Sequence, residues 1–358
     1  MSTYATTHKV LYNTHTMTAS FSKQNKTVIM IASGGIGEFL FQLDLAKRLE
    51  NQNIQTIFFV KKKYLLFAQI VQVSKARRVQ LISFESFFFV GLLQFISTCF
   101  THSVILVNSF NSTAFSTNTK MLYTVVRIFG GRIIICKKDI HEKTNCETIF
   151  YQEGEVIWER NNKIVEYITH KKSDIPFPIL FQDKQRTVSV PYIYIHPVGS
   201  SFKKSYPIKK LMKLFSLRKD INWVFTVTPS EEKWYITEEL KTFLKENTHI
   251  TFQSKNFSIS EVVSFMTASK VFITVNTGLL WLACMLDIKT IVADTFTDFE
   301  WNPSFGKNIT RLAHDYDSDG KSLHLQEKHH EDGIFFESMY LVTGEEINKA
   351  IGDVLTAQ

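Results

Sequence analysis

The chain has 358 residues, 44% of them hydrophobic and 21% charged, which suits about two packed domains and excludes a disordered chain. Its 41 Lys and Arg outnumber its 34 Asp and Glu, and the net charge of +7 favours anionic partners such as phosphorylated sugars or a membrane surface. No basic helix or aromatic RNA-binding motif accompanies that charge, so we expect no nucleic-acid partner. The four cysteines stand apart without a CxxC pair, which excludes a disulfide scaffold or zinc ribbon and is typical of cytoplasmic proteins.

The N-terminal segment, residues 1–26, is rich in Thr, Ser, His and Asn and lacks the apolar core of a signal peptide or anchor. We therefore expect a disordered tail there. The stretch that most resembles a membrane span, Leu81–Phe100, is interrupted by Glu85, Gln94 and several hydroxyl side chains, whereas a spanning helix needs about 20 mostly apolar residues. It predicts a Phe-rich helix in the core, and a lipid-facing patch is the alternative.

Apolar strands alternate with amphipathic helices in the first half of the chain. The predicted strands are Val28–Ala32, Ile54–Val60, Ser103–Val107 and Arg132–Cys136. One predicted helix follows the first strand, with Phe39, Leu43 and Ala46 on one face, and another covers Met121–Phe129. Strands that alternate with helices indicate βαβ units and a mostly parallel sheet.

The pattern weakens between residues 142 and 185, and the charged, proline-containing segment 171–178 is the predicted linker. A second series of elements then begins. Its strands are Tyr192–His196, Trp223–Val227, Val271–Val275 and, as the last clear one, Thr290–Ala293; its helices are Ile208–Leu217, Glu231–Glu246, a helix capped by Ser258 or Ser260 that ends at Ala268, and Gly278–Leu286. We predict an α/β fold with domains over residues 27–178 and 186–335, followed by a C-terminal helix within 336–358.

Three loops at the carboxyl ends of predicted strands carry candidate functional residues, and ligands of open α/β sheets bind at such ends. In the first loop, Ser33–Glu38, glycines permit close approach of a ligand to the backbone. Glu38 lies in the first turn of the helix and is a candidate general base, or it simply completes the helix N-terminus. Leu40 occupies the third glycine position of a GxGxxG fingerprint, which disfavours a nucleotide-dependent oxidoreductase.

The second loop, His196–Pro207, offers hydroxyl and ammonium groups between a strand and a helix. Ser200, Lys204 and backbone N–H groups together suit a diphosphate, although the spacing is not that of a Walker A loop. A solvated basic loop is the alternative.

The third loop, Val275–Ala283, places Thr277 and Gly278 at the start of a helix, where N–H groups and a hydroxyl are available to a phosphate. A capped core helix with Trp281 buried is the alternative reading of this segment.

Together these loops resemble the motifs of the bacterial ADP-heptose:lipopolysaccharide heptosyltransferase family, a group similar to glycosyltransferase family 9. The family has roughly GxGD near its start, HxGxSxxxKxWP in its second domain and DTGxxHLA later. Here residues 35–38 read GIGE, residues 196–207 read HPVGSSFKKSYP and residues 276–283 read NTGLLWLA. The order and spacing extend over residues 28–305, which is most of the chain.

The resemblance implies a GT-B fold, in which two facing Rossmann-like domains hold the acceptor and the nucleotide sugar. It implies that Glu38 and Lys204 are catalytic, and it implies neither a metal nor a cofactor. The residues implied to bind the donor are Ser200, Ser201, Lys204, Glu231, Glu232, Asn276, Thr277 and Gly278, and those implied to bind the acceptor are Gly35 and Gly37. The implied reaction is inverting transfer of a sugar, with heptose as the expected one, to a lipopolysaccharide-core or related glycan, in the cytoplasm or at the inner face of its membrane.

Two positions depart from the family pattern, because Asn276 stands in place of Asp and Trp281 in place of His. Asn retains hydrogen-bonding capacity without the charge, and Trp fills volume that an imidazole would leave for sugar contacts. Two alternatives therefore stay open: a transferase of the same fold with another nucleotide sugar, and a non-catalytic relative that binds a glycan or nucleotide.

A separate acidic segment, Asp315–Gly320, matches the first half of a calcium-binding EF-hand loop. Its twelfth position is Gln326 in place of the bidentate Glu, which weakens a calcium site. The nearby His324, His329 and His330 do not complete a set of metal ligands. We expect an exposed loop here, with a calcium site as the weaker alternative.

Overall fold

The structure is a computed structural model of the 358-residue chain. It describes residues 26–32, 36–60, 79–83, 92–101, 103–108, 117–137, 146–151, 155, 157–173, 191–294, 308–323 and 326–356. The expected tail lies outside this part except for Lys26, and so do Gly35, His324 and residues 174–178 of the expected linker. Among the described residues, none of the helices has the length and apolar character that crossing a membrane requires.

The first half of the chain forms a parallel sheet, sheet A, with the strand order β3-β2-β1-β4-β5-β6. Its strands are β1 (Lys26–Ala32), β2 (Gln55–Val60), β3 (Val79–Ser83), β4 (Ser103–Asn108), β5 (Arg132–Lys137) and β6 (Glu147–Phe150). The described helices of this half are α1 (Ile36–Asn51), α2 (Leu92–Thr101), α3 (Thr117–Ile128) and α4 (Ile157–Thr169). The central strands are continuous apolar runs because helices cover both faces of the sheet.

The second half forms another parallel sheet, sheet B, with the order β12-β11-β10-β7-β8-β9. Its strands are β7 (Tyr192–His196), β8 (Asn222–Val227), β9 (Ile250–Ser254), β10 (Val271–Val275), β11 (Thr290–Ala293) and β12 (Ile309–Leu312). Its helices are α5 (Ile208–Leu217), α6 (Pro229–Tyr235), α7 (Glu238–Glu246), α8 (Ile259–Ala268) and α9 (Gly278–Met285).

The two sheets share one topology, because in each the first strand in the chain lies between the second and the fourth. The strand order therefore reverses direction between β1 and β4 in sheet A and between β7 and β10 in sheet B. Open parallel sheets bind their ligands outside the carboxyl ends of the strands at such switch points. The three candidate loops follow β1, β7 and β10, so the topology places all of them at switch points.

One hydrophobic core joins the two sheets. It runs from Phe58 on sheet A through Leu45 of α1 and Met266 of α8 to Phe272 on sheet B. The outer face of sheet A is covered by α2 and α3. The outer face of sheet B is covered by α5, α7 and the C-terminal helix. Helices α1, α4, α8 and α9 therefore lie between the sheets as shared inner layers.

A buried polar network fastens α4 to α1 within that inner layer. Arg48 Nε donates to Asp44 Oδ1 at 2.8 Å, and Arg48 Nη1 donates to Asn162 Oδ1 at 2.6 Å. Asn161 Nδ2 donates to Asp44 Oδ2 at 2.7 Å. Burial raises the pKa of Asp44, while the guanidinium of Arg48 beside it acts in the opposite direction. Removing one partner would leave the other buried without its counterpart, so the network fixes how the two helices pack.

The last elements close sheet B. They are an antiparallel hairpin of β13 (Glu327–His330) and β14 (Gly333–Phe336), a short helix α10 (Glu337–Tyr340) and the helix α11 (Gly344–Thr356). Helix α11 packs on α5 with Ile347 and Ile351 buried. The hairpin contacts the turn at Phe202, where the rings of Phe202 and Phe335 lie 5.0 Å apart. The C-terminal helix that the sequence predicts thus belongs to sheet B.

The structure corrects the predicted elements at several places. The segment from residue 81 that is expected to be helical begins within β3, which pairs with β2, and its described helix is α2 (Leu92–Thr101). The predicted helix Glu231–Glu246 is two helices, because Ile236 is extended (φ −88°, ψ 105°) and Thr237 caps the second one. Thr290–Ala293 is followed by a further strand, β12, and the weakly patterned region 142–185 contains β6 and α4.

We predict that Ile351→Ala lowers the free energy of unfolding by about 2–5 kcal/mol, because the side chain is fully buried between α11 and sheet B. Urea unfolding followed by circular dichroism measures this change. Lys349→Ala, an exposed position on the same helix, should alter stability by less than about 0.5 kcal/mol. Equal effects of the two substitutions would contradict the packing of α11 described above.

Candidate functional site

Helices α1 and α9 meet at their N-termini, and this contact joins the first and third candidate loops. Gly278, the first residue of α9, lies so close to Ile36 that an added Cβ would be 1.5 Å from Ile36 Cγ2. An added Cβ on Gly37 would lie 2.9 Å from Trp281 Cδ1. Trp281 is 7% exposed, so it belongs to the contact between the helices. The carboxyl edges of the two sheets therefore face each other at this point.

Glu38 lies in the first turn of α1, next to this contact, and is half-buried. Gln42, one turn later, is almost fully buried. Gln42 Nε2 donates to Ile31 O of β1 at 2.9 Å and lies 3.4 Å from Glu38 Oε1. The amide thus links the end of β1 to the Glu38 carboxylate. The position of the carboxylate at the helix N-terminus favours its ionised form, as a general base requires.

The second candidate loop folds back on itself through backbone bonds and one buried serine. Ser205 Oγ accepts from Gly199 N and donates to Ser201 O, each at 2.9 Å. Tyr206 N donates to Pro197 O at 2.8 Å, which closes the loop at its base. Phe202–Lys204 form a single 3₁₀ turn. The loop is therefore a built structure and not a freely solvated basic segment.

The chemistry-bearing side chains of this loop stand at its outer surface. Ser200 is exposed, whereas Ser201 and Lys204 are half-buried. Lys203 pairs with Glu327 at 2.5 Å, but Lys204 forms no ion pair with any carboxylate in the described part of the chain. Of the two adjacent ammonium groups, Lys204 is thus the one available to an anionic ligand.

Glu231 and Glu232 lie in the first turn of α6, at the carboxyl end of β8, the strand beside β7. Glu231 Oε2 accepts from Thr228 N at 2.7 Å and completes a capping box, and its Oε1 lies 3.8 Å from His196 Nε2. Glu232 Oε2 accepts from Ser254 Oγ at 2.5 Å. Both carboxylates therefore have hydrogen-bond partners within the second half of the chain.

His196 ends β7 at the base of the second loop and is buried. Its Nδ1 lies 3.0 Å from Thr226 O, a group that only accepts, so Nδ1 carries the proton in the neutral ring. Burial lowers the pKa of His196, and the nearby Glu231 and the bond to Thr226 O oppose that shift. The imidazole is thus a neutral structural support for the loop.

The third loop begins α9. Thr277 is its N-cap and its side chain accepts from Leu279 N at 3.2 Å. Asn276 precedes it, and its Nδ2 donates to Asp294 Oδ1 at 3.1 Å. Asp294 follows β11 and is ion-paired with Arg311 of β12 at 2.8 Å. These residues align along neighbouring strand ends.

The structure thus collects most of the sequence-predicted site residues. Those after β7, β8 and β10 line adjacent strand ends of sheet B, Gly37 contacts Trp281 of α9, and Glu38 is the next residue of α1. Gly35 lies outside the described residues. Sequence reasoning missed Gln42, Ser205 and Asp294. The position of Asp294 directly after a predicted strand was the one available signal for it.

Two carboxylates of the acidic segment 315–320 have hydrogen-bond partners within the chain. Arg311 holds both carboxylate oxygens of Asp315, at 2.6 and 2.9 Å. Asp317 Oδ1 accepts from the backbone N of Asp319 and of Lys321, which shapes a tight turn. In the part of the chain that the structure describes, no group of three or more His, Cys, Asp or Glu could hold a metal ion.

Comparison with known proteins supports one fold. The sequence matches no protein-family model and no curated protein. The structure resembles E. coli ADP-heptose lipopolysaccharide heptosyltransferase II, with 12% identity, a TM-score of 0.62 and coverage of 92% of this chain and 99% of that one. The E. coli heptosyltransferase WaaC with ADP gives 15% identity, a TM-score of 0.62 and the same coverages.

A family 9 glycosyltransferase from Veillonella parvula gives 10% identity and a TM-score of 0.62, with coverage of 95% of this chain and 100% of that one. At such identities the likeness establishes the fold. The chain is therefore an α/β protein with two parallel-sheet domains arranged as in these GT-B proteins, and the predicted fold class is confirmed. The structures that share the fold include heptosyltransferases, the family that the sequence motifs resemble.

We predict that Gly278→Ala lowers the free energy of unfolding by about 1–3 kcal/mol, because the new methyl group overlaps Ile36. Truncation of the partner in the double variant Ile36→Ala/Gly278→Ala should recover part of that loss. Chemical denaturation of the variants measures both. Gly352→Ala on α11 is the matched control, since nothing lies within 4 Å of its added Cβ. A destabilisation of the control equal to that of Gly278→Ala would show that the helix contact is not the cause.

We predict that His196 makes stability fall as the pH drops below about 6.5. Its pKa is lowered in the folded state, so the unfolded chain takes up this proton first on acidification. The neutral ring provides its full stabilisation above pH 6.5. As the pH falls from 6.5 to the folded-state pKa, this stabilisation decreases by no more than about 1.4 kcal/mol per pH unit.

Unfolding measured from pH 8 to pH 5 should show a shallower dependence for His196→Gln than for the wild type. His329→Gln, at an exposed position, should keep the wild-type slope. Parallel curves for the wild type and His196→Gln would show that this histidine titrates as it does in the unfolded chain.

Proposed function

We propose that the chain is a glycosyltransferase that moves a sugar, heptose, from a nucleotide-sugar donor to a lipopolysaccharide-core or related glycan. One observation carries the proposal. The N-terminus of α1, with its carboxylate Glu38, meets the N-terminus of α9, with Thr277 and Gly278, at the facing switch points of two sheets. Transfer of a sugar from a nucleoside diphosphate to a hydroxyl is favoured by such a site, with a base on one side and an anion-binding surface on the other.

The donor side is suited to a diphosphate. The N-terminus of α9 provides a positive dipole end and the backbone N–H of Gly278, while the N–H of Leu279 is bonded to the Thr277 side chain. Lys204 adds a cation on the neighbouring strand end, and Ser200 and Ser201 add hydroxyl groups. The negative charge that develops on a departing nucleoside diphosphate would be stabilised by these groups without a metal ion.

The acceptor side supplies the base. We propose that Glu38 removes the proton from an acceptor hydroxyl, with Gly35 and Gly37 as the acceptor-binding residues that the motif resemblance implies. The hydroxyl oxygen then forms a bond to the anomeric carbon while the bond from that carbon to the diphosphate oxygen breaks. The proton ends on Glu38 and the electron pair on the leaving diphosphate. Attack opposite the leaving group inverts the anomeric centre.

The nature of the donor is proposed from two independent supports. The loop motifs resemble those of ADP-heptose-dependent enzymes, and the WaaC structures that share this fold were solved with ADP and with ADP-2-deoxy-2-fluoro heptose. Glu231 and Glu232 lie on the strand end next to Lys204, where a ribose contact is feasible. We place the reaction in the cytoplasm, where an anionic acceptor at the membrane's inner face would meet the basic chain.

A second candidate function is favoured by Trp281 and Asn276. Trp281 packs against Gly37 and fills volume between the two helices, and Asn276 lacks the charge of the family aspartate. These features also suit a transferase with another nucleotide sugar, or a protein that binds its ligands without turnover. A binding panel separates the candidates. Stabilisation by ADP and ADP-heptose favours heptose transfer, and stabilisation by UDP, GDP or CDP compounds favours another donor.

We predict that Glu38→Gln lowers the rate of sugar transfer by about 10²–10⁴-fold, because the amide cannot accept the proton. Glu50→Gln, at the other end of the same helix and paired with Lys47, is the matched control and should retain activity. Rates are measured as nucleoside diphosphate released from the donor that stabilises the protein. Full activity of a folded Glu38→Gln variant would refute its role as base.

We predict that Lys204→Ala lowers the transfer rate by about 10²–10³-fold and weakens nucleoside diphosphate binding, because one charged donor to the diphosphate is lost. Lys203→Ala is a stringent control. It removes the same charge at the neighbouring position, where the lysine is paired with Glu327. The same kinetic assay, together with calorimetric titration of ADP, measures both variants. Equal losses in the two variants would indicate a general charge effect in place of a specific contact.

A further inference from the structure

A row of hydrogen-bonded polar side chains runs along the carboxyl-terminal edge of sheet B and ends at the proposed donor site. Asp315 holds Arg311, Arg311 Nε donates to Asp294 Oδ2 at 2.8 Å, and Asp294 Oδ1 accepts from Asn276 Nδ2 at 3.1 Å. The row crosses the ends of β12, β11 and β10, which are neighbours in the sheet. Its last member, Asn276, is adjacent in sequence to Thr277 and Gly278.

The middle of this row is shielded from water. Asp294 is fully buried and the side chain of Arg311 is 17% exposed. A buried carboxylate is costly unless a cation and hydrogen-bond donors surround it, and here Arg311 and Asn276 supply them. Asp294 is further fixed through its backbone, because its N–H donates to Leu312 O at 2.9 Å. The carboxylate is therefore a rigid acceptor at the end of β11.

A rigid acceptor determines which way a neighbouring amide turns. A carboxylate only accepts hydrogen bonds, so the NH₂ of Asn276 must be the group that faces Asp294. The carbonyl oxygen of the same planar amide then points away from Asp294. Asn276 is half-buried and directly precedes Thr277 and Gly278, so its amide lies next to the proposed donor site.

We propose that Asp294 is a positioning residue for the donor sugar: it holds Asn276 so that the amide presents a hydrogen-bond acceptor to a sugar hydroxyl. This inference rests on the proposed function, since it assumes that a nucleotide sugar binds beside Asn276. Arg311 and Asp315 hold Asp294 in turn. In this chain a neutral amide with a buried carboxylate behind it thus stands where the family motif has an Asp.

The same geometry makes the identities of residues 276 and 294 depend on each other. An Asp at 276 would put two carboxylates in the place of a 3.1 Å hydrogen bond, where they repel. In Asp294→Asn, the new amide would turn its oxygen to Arg311 and its NH₂ to Asn276. Asn276 would then have to turn its own oxygen inward and present NH₂ to the sugar.

The reciprocal swap Asn276→Asp/Asp294→Asn resolves this conflict. The amide at 294 accepts from Arg311 and donates to the carboxylate at 276, which again presents an acceptor oxygen to the sugar. The double variant therefore reverses the effect of Asp294→Asn only if the orientation at 276 is what matters. Both variants lose the ion pair to Arg311. If that loss caused the effect of Asp294→Asn, the double variant would show the same effect.

The experiment measures the ratio of the affinity for a nucleotide sugar to the affinity for its nucleoside diphosphate. ADP-heptose and ADP are tested first, and the UDP, GDP and CDP compounds follow. Calorimetric titration is carried out on the wild type, Asp294→Asn, the double swap and Asp319→Asn. The last removes the same charge at an exposed position outside the row. Circular dichroism verifies that each variant is folded.

We expect Asp294→Asn to bind the nucleotide sugar about fivefold more weakly while its affinity for the nucleoside diphosphate is unchanged. The double swap and Asp319→Asn should have the wild-type ratio. An unchanged ratio in Asp294→Asn, or no recovery in the double swap, overturns the positioning role but leaves the proposed function intact. If Asp294→Asn does not fold, the ratio of the double swap decides alone. If no nucleotide or nucleotide sugar binds the wild type, the proposed function and this inference both fail.

Discussion

The site depends on one steric constraint, the close approach of α1 and α9 at their N-termini. Gly278 has no side chain, so Ile36 can occupy the space in front of it, and Gly37 in the same way receives the ring of Trp281. Each sheet alone would offer only half of a site at its own switch point. The contact brings the two halves together and makes the inner helices a common layer, so the positions of Glu38 and of the α9 N-terminus are set jointly.

Charge is distributed unequally across this contact, and the asymmetry is the basis of the proposed chemistry. The side from sheet A contributes a carboxylate, Glu38, held near Gln42. The side from sheet B contributes Lys204, hydroxyl groups and a helix N-terminus. A base opposite an anion-binding surface is the arrangement that separates proton removal from departure of a diphosphate. The structural capping role of Glu231 keeps a further carboxylate close to that surface without placing it in the loop.

The departures from the family pattern have physical explanations inside this chain. Trp281 contributes to the packing between the two helices, so it serves the contact that assembles the site. Asn276 is matched to a neighbour, because the buried Asp294 beside it favours an amide over a second carboxylate. Each unusual residue therefore has a local partner that makes it suitable, and the two substitutions are consistent with a working site.

The sequence by itself determined four of the six described strands of sheet B, all but β9 and β12, and the candidate loops that follow β7 and β10. Tyr192–His196 and Val271–Val275 were predicted with their observed bounds, since fully buried strands are continuous apolar runs whatever surrounds them. The helix break at Ile236 was missed because the predicted helix was continued across Thr237, which is the N-cap of the second helix. The ion pair between Asp294 and Arg311 and the approach of Gly278 to Ile36 were decided by tertiary structure alone. Hydrogen bonds and contacts between distant segments depend on strand order and helix crossing, which local periodicity does not record.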